Sequence, residues 1–364
     1  MGGKRIMKAI VAEDFGEVSL KNVEMPKVKS SDVMIKVKAC GVDRTDVIAW
    51  IKKEYVAAGY RTRQKYKFPV ILGAEASGEI TEVGKEVSGW NIGDRVIPEY
   101  YTDMCGQCSY CRTGQYNLCP YSKGKGELGR SIDGCFAEYC SIPASSLIRI
   151  PDNLSYEEAC LTEMVAVTMH GLRRAGFVKP GEAIAILGCG IIGLSALQIC
   201  KASGCTVVIT GTSRDKDRLQ LAKKLGADRI VNIEEEDLLK VANDYKGVGF
   251  YKDMPGFDYV FVAAPSPSAV EQALRIVRPG GRITQIGHPH SREPISIPYY
   301  NVLDDITIYG TSVNTREDWE RSLSLMAKGI VKVKDMIKTY PLEKWEQAFK
   351  DFWEGKVIRS VLIP

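Results

Sequence analysis

The sequence predicts an α/β protein of two domains, one β-rich and one built on a doubly wound parallel sheet. Three observations carry that expectation. The chain has 364 residues, 45% hydrophobic and 26% charged, which is enough for two ordinary cores. Its pattern changes from short alternating runs split by glycine, up to about Ile150, to apolar strands alternating with helices after Gly181. A glycine motif, Gly188-Cys189-Gly190-Ile191-Ile192-Gly193, sits between one such strand and one such helix.

In the first part, Val33–Val37, Ser77–Ile80 and Gly93–Ile97 read as strands of a barrel-like sheet. Ser155, with Glu158 three residues on, forms a capping box that opens a helix. After it, strands are expected at Ala183–Leu187, Thr206–Thr210, Arg229–Ile233, Asp258–Ala264 and Arg282–Gly287. Helices are expected at Gly193–Ser203, Arg218–Leu225 and about Ser268–Val277, the last closed by Pro279-Gly280-Gly281. Such alternation implies right-handed crossovers in a parallel sheet. An amphipathic helix at Leu342–Glu354 and a strand at Lys356–Ile363 end the chain, and no internal repeat is visible.

Several function classes are disfavoured. A net charge of +4 with no polybasic run argues against a nucleic-acid partner. The first residues lack the apolar stretch of a signal peptide, and Ile6 stands where a myristoylation signal wants Ser or Thr. Ala183–Cys200 is uncharged, but Gly188, Gly190 and Gly193 interrupt it and Lys179 and Lys201 flank it, so strand, turn and helix are expected rather than a membrane span. Eleven cysteines without an export signal point to metal binding in a reducing, cytoplasmic compartment.

The glycine motif lets a backbone approach a pyrophosphate at a helix N-terminus, so Gly188, Gly190, Ile191, Ile192 and Gly193 are the expected dinucleotide site. The next strand ends in Gly211 where an NAD site wants a carboxylate for the ribose hydroxyls. Ser213, Arg214 and Arg218 follow, leaving room and charge for a 2′-phosphate, so the loop favours NADP over NAD. Cys105, Cys108, Cys111 and Cys119 have the close spacing that wraps a tetrahedral zinc ion in a closed, structural shell. An iron–sulfur cluster is the competing occupant.

Further stretches carry a resemblance: Cys40-Gly41-Val42 with Thr45-Asp46, Gly73-Ala74-Glu75-Ala76-Ser77-Gly78, Gly93-Asp94-Arg95-Val96, Asp133 to Tyr139, and Gly280-Gly281-Arg282. With the cysteine lobe and the glycine motif, they make the chain resemble, nearly end to end, the zinc-dependent medium-chain dehydrogenases, the group of sorbitol, threonine and alcohol dehydrogenases. The resemblance implies a GroES-like catalytic domain at 1–151 and 299–364, with a structural zinc lobe at 100–120. It also implies a Rossmann domain at 152–298, a small alcohol or ketone substrate, and a homodimer or homotetramer. It makes Cys40 and Glu163 ligands of a catalytic zinc and Thr45 the hydroxyl that relays the substrate proton. Ile286, Gly287 and Thr311 would lie against the nicotinamide. Glu163, where other branches carry cysteine, points to polyols.

The sequence departs from the family at the centre of that site, because Ala74 stands where the family's histidine ligand belongs. The remaining histidines are His170, matching a non-ligand, and His288 and His290, read as loop residues. Three accounts are open. A metal binds through Cys40, Glu75 and Glu163; or the metal is gone and Glu75, Glu163, Asp43 or Asp46 act as acid–base groups; or the site no longer turns over. Asp46, in the family a support for the missing histidine, has no evident job. Arg61, Arg63 and Lys65 either receive an acidic or phosphorylated substrate or lie on a solvated surface. The expected function is NAD(P)-dependent interconversion of a secondary alcohol (polyol, sugar, cyclitol or amino alcohol) and its ketone. The alternatives are a zinc-independent reductase and a catalytically silent NADP(H)-binding relative.

Overall fold

The computed structural model describes residues 5–51, 66–121, 126–246, 255–288 and 294–364. The chain forms two compact units: Met1–Glu163 with Thr315–Leu323 and Val333–Pro364, and Met164–Asn314 with Ser324–Lys332.

The first unit is β-rich. One sheet runs in the order Ile337–Pro341, Arg359–Ile363, Asp32–Gly41, Glu75–Val83, Arg95–Pro98, Leu147–Arg149, and Tyr139–Pro143 adds to Asp32–Gly41. Ile6–Asp14 pairs with Glu17–Glu24 and Val70–Ile71 in a second, smaller sheet. Alternation along these strands turns Ile35, Ile80, Ile97 and Ile142 into a core that Phe136 and Phe349 complete. The register matters for chemistry. Gly41 lies opposite both Glu75 and Val361, so the strand ends carrying Cys40, Glu75 and Arg359 are neighbours. The helix Arg44–Ile51 follows directly, and its Trp50 packs edge-on against Trp345 and Phe349 of the helix Trp345–Trp353. The capping box at Ser155 forms with both hydrogen bonds in place.

The second unit holds six parallel strands in the order Arg229–Asn232, Thr206–Gly211, Ala183–Leu187, Phe257–Val262, Val277–Gln285, Thr307–Gly310. This is the doubly wound dinucleotide-binding order. The two central strands are buried along their whole length, as a sheet covered on both faces requires. One strand differs from expectation. It begins at Val277, which pairs with Phe257, and pairing resumes only at Arg282 with Tyr259, so Arg278 to Gly281 form an irregularity inside the strand rather than a loop before it. Arg278 Nε, 2.8 Å from buried Asp258, fixes that irregularity. Among the described residues no helix is long and apolar enough to cross a membrane.

Candidate active site

The dinucleotide turn in the second unit uses its three glycines differently. Gly188 ends the strand Ala183–Leu187 at φ +107°, a conformation side chains rarely adopt. Gly190 caps the helix Ile191–Ala202, and a Cβ there would meet nothing within 4 Å. A Cβ on Gly193 would lie 1.9 Å from the Gly188 carbonyl oxygen, so only glycine allows helix and turn to close. The first N–H groups of the helix, at Ile191, Ile192 and Gly193, have no partners within it and can receive an anion in the space above Gly190. The residues thus fit a pyrophosphate.

Past the neighbouring strand, Gly211 is buried and Arg214 exposed. Arg218 is drawn to Asp215 at 3.3 Å, and Asp215 also caps Thr212. The Ser213 N–H donates to Glu234, a carboxylate that sequence reading did not connect to this loop. Ile286 and Gly287 donate to the Val262 carbonyl and sit, like Gly188, at the C-terminal ends of parallel strands. Thr311 follows the edge strand, with its hydroxyl buried and unbonded. Buried His170 has its Nδ1 3.3 Å from Arg173, and His288 is exposed. His290, Arg61, Arg63 and Lys65 lie outside the described residues.

In the first unit the four lobe cysteines gather. The Cys105 sulfur is 3.8 Å from that of Cys111 and 3.5 Å from that of Cys119. A tetrahedron of Zn–S bonds of about 2.3 Å has edges of about 3.8 Å, so the set fits zinc. Among the described residues, these are the one group of three or more His, Cys, Asp or Glu ligand atoms all within 4.8 Å of one another. None of the eleven cysteines is in a disulfide.

Cys40, Glu75 and Glu163 are all buried but are not gathered in that way. The Glu75 carboxylate is taken by Arg359 in a buried ion pair, through Oε1 and Nη2. Its Oε2, and Oε2 of Glu163, are buried without a hydrogen-bond partner. Burial pushes the Cys40 thiol well up, with Cys160, Asp46 and Glu75 adding to the effect. Burial, then Glu75 and Asp43, pushes Glu163 the same way. Ala74 offers no ligand atom and Glu75 is already paired with Arg359, so Cys40, Glu75 and Glu163 as arranged do not fit a catalytic zinc.

The helix Arg44–Ile51 brings other groups together. Asp43 and Asp46 cap it reciprocally: the Asp43 N–H donates to Asp46 Oδ2 at 3.0 Å and the Asp46 N–H to Asp43 Oδ1 at 2.9 Å. That is the job sequence reading could not find for Asp46. The Thr45 hydroxyl donates to Asp43 Oδ1. Arg130 Nη2 donates to the Thr45 hydroxyl oxygen and to Asp43 Oδ2, the latter at 3.2 Å, while Nη1 donates to the Tyr100 hydroxyl at 2.6 Å. Arg130 is 5% exposed. Burial works against its charge, but Tyr100, Tyr66, Asp43 and Asp46 outweigh that, so the guanidinium stays charged. Arg130 is carried on a tight turn in which Gly129, at φ +75°, comes so close to Gly73 that a Cβ would lie 2.9 Å from the Gly73 nitrogen. Sequence reading missed Arg130 and Arg359. The one signal for Arg130 was a lone cation between Leu128 and Ile132, beside a glycine that marks a turn.

Residues 29–152 match the alcohol dehydrogenase GroES-like domain family, and residues 192–328 the zinc-binding dehydrogenase family. An alcohol dehydrogenase of Geobacillus stearothermophilus is 37% identical over 98% of this chain and 99% of its own. A D-arabitol-phosphate dehydrogenase of Enterococcus avium is 34% identical over 96% and 95%. A zinc-binding dehydrogenase of Sinorhizobium meliloti 1021, solved with NADP, superposes with a TM-score of 0.85 at 28% identity, covering 99% of this chain and 100% of that one.

Proposed function

Because the chain belongs to the zinc-type medium-chain dehydrogenase family, we propose that it interconverts a secondary alcohol, polyol-like or sugar-like, and its ketone with NAD(P). The observation that carries this reading is the glycine turn, whose open Gly190 and unpartnered helix N–H groups suit a dinucleotide pyrophosphate. NAD(P)+ held at the Gly188–Gly193 turn would supply the hydride acceptor. Of the chain's own residues, Thr45 accepts the hydrogen bond of the substrate hydroxyl and passes its own proton to Asp43. The orphaned oxygens of Glu75 and Glu163 favour a substrate with further hydroxyl donors, which is what a polyol offers. Cys105, Cys108, Cys111 and Cys119 hold zinc whose closed shell serves the fold and not the reaction. A reducing, cytoplasmic compartment suits those thiolates.

Ser213 and exposed Arg214 favour NADP, with Glu234 the group that opposes a 2′-phosphate. A homo-oligomer is supported by the rim of the parallel sheet, where Tyr299, Val302 and Leu303 are 77%, 65% and 67% exposed beside the edge strand Thr307–Gly310.

The test is NADH and NADPH formation over a panel of simple secondary alcohols, vicinal diols, sorbitol, arabitol and arabitol phosphate. Turnover is expected with at least one polyol, and faster with NADP+. Binding of NADPH without turnover in either direction would place the protein among silent relatives.

A further inference from the structure

We infer that Arg130, acting through the Thr45 hydroxyl, supplies beside the reacting oxygen the positive charge that a metal ion would otherwise supply. The inference rests on the alcohol–ketone reading and concerns how that reaction is driven.

A threonine hydroxyl has one proton to give and two lone pairs to receive with. Thr45 gives its proton to Asp43 Oδ1 and receives an N–H from Arg130 Nη2. One lone pair is left, and the O–H of an alcohol substrate is the group that completes it. Every other position of the relay is already set, because Asp43 is held by the Asp46 N–H and by Arg130, and Arg130 by Tyr100. The guanidinium is buried, and its contact to Thr45 requires no metal. The ligand atoms of Cys40, Glu75 and Glu163 do not all lie within 4.8 Å of one another, and Glu75 has its own arginine.

In the oxidation, the C–H bond of the carbinol carbon breaks and its electron pair leaves as hydride to the nicotinamide, forming the new C–H bond there. The C–O bond becomes C=O. The hydroxyl proton moves to Thr45 Oγ1, whose own proton moves to Asp43 Oδ1. The alcohol is oxidised, NAD(P)+ is reduced, and the proton ends on Asp43. Arg130 donates to Thr45 Oγ1 and to Oδ2 of Asp43, the oxygen beside the one that receives the proton. Through Thr45 it therefore stabilises the alkoxide-like charge that develops on the substrate oxygen as its proton leaves, a charge that the departing hydride then discharges, with a preorganised cation in a buried site. In ketone reduction it lowers the cost of charge arriving on oxygen.

The experiment uses the full chain with its lobe zinc, the best alcohol of the panel above, and Arg130→Met and Arg130→Lys variants. Zinc per chain, kcat, KM for alcohol and coenzyme, and the kinetic isotope effect with carbinol-deuterated alcohol are measured. Expected are about one zinc per chain in wild type and variants alike, and activity that survives a chelator. For Arg130→Met, kcat should fall by roughly 10²–10³-fold, the cost of deleting one oxyanion donor, with coenzyme KM little changed. The isotope effect should grow, and added guanidinium ion should restore part of kcat, which a merely structural role for Arg130 would not produce. Near-UV circular dichroism checks the fold, and Arg130→Lys stands in should Arg130→Met not fold. A kcat within about threefold of wild type would overturn the inference. So would a second zinc whose removal abolishes turnover, and in that case the alcohol–ketone reading stands. A wild type inactive over the whole panel sinks that reading and this inference with it.

Discussion

Replacing Gly193 by alanine separates the coenzyme turn's two duties, closing on itself and receiving a pyrophosphate. The new methyl would start 1.9 Å from the Gly188 carbonyl oxygen. Backbone would have to retreat by about 1.5 Å before it reached an ordinary contact. Overpacking against backbone costs about 1–3 kcal/mol. In a domain of this size that lowers Tm by about 2–12 °C. The same retreat pulls helix N–H groups off a bound phosphate. Loss of one charge-assisted hydrogen bond, about 1.5–3 kcal/mol, weakens coenzyme by about 10- to 100-fold. Gly190→Ala is the control: its methyl meets nothing within 4 Å, and its φ of −78° suits any residue. It should leave the coenzyme-free protein within about 1 kcal/mol of wild type, while weakening coenzyme by filling the space a pyrophosphate needs. Differential scanning fluorimetry without coenzyme, together with NADPH titration by fluorescence, reads both effects. Equal loss of Tm in the two variants, or a Gly193→Ala protein that binds NADPH as tightly as wild type, would refute the assignment of roles.

Cys108→Ser should reduce zinc from about one per chain to near zero by mass spectrometry and open residues 105–119 to proteolysis. Arg359→Met strands the Glu75 carboxylate, whose side chain is 1% exposed. Denaturant unfolding should show a loss of about 3–5 kcal/mol, much of it regained in the Glu75→Gln/Arg359→Met double variant, and a double variant no better than the single would argue against the pair. Burial pushes Glu99 up to about 7 although Arg316 and Tyr116 pull it down. An acid whose folded pKa is raised contributes stability that is whole below about pH 4.5 and is lost as pH rises through 7. Wild-type Tm should therefore fall more steeply than that of Glu99→Gln between pH 5 and 8, and parallel curves would refute the shift.

The legible parts of this chain are those set by local rules. The coenzyme strand, turn and helix follow from apolar runs and glycines adjacent in sequence, and the zinc lobe from four cysteines within fifteen residues. The capping box at Ser155 was readable for the same reason. What stayed hidden depends on residues far apart in the chain. Arg359 meets Glu75 only because the last strand pairs beside Asp32–Gly41. Arg130 meets Thr45 only because a turn 85 residues later folds back over Gly73. Residue types alone left open whether Cys40, Glu75 and Glu163 hold a cation, and they could not reveal that Arg359 pairs with Glu75 and Arg130 with Asp43. The strand at Val277 was missed because Pro279-Gly280-Gly281 reads as a stop, whereas the chain bulges and continues.

Asp43, one of the two carboxylates that cap the helix Arg44–Ile51, is also the proton acceptor of the proposed relay. Whatever loosens that one turn of helix would therefore also move the group that is to receive the proton.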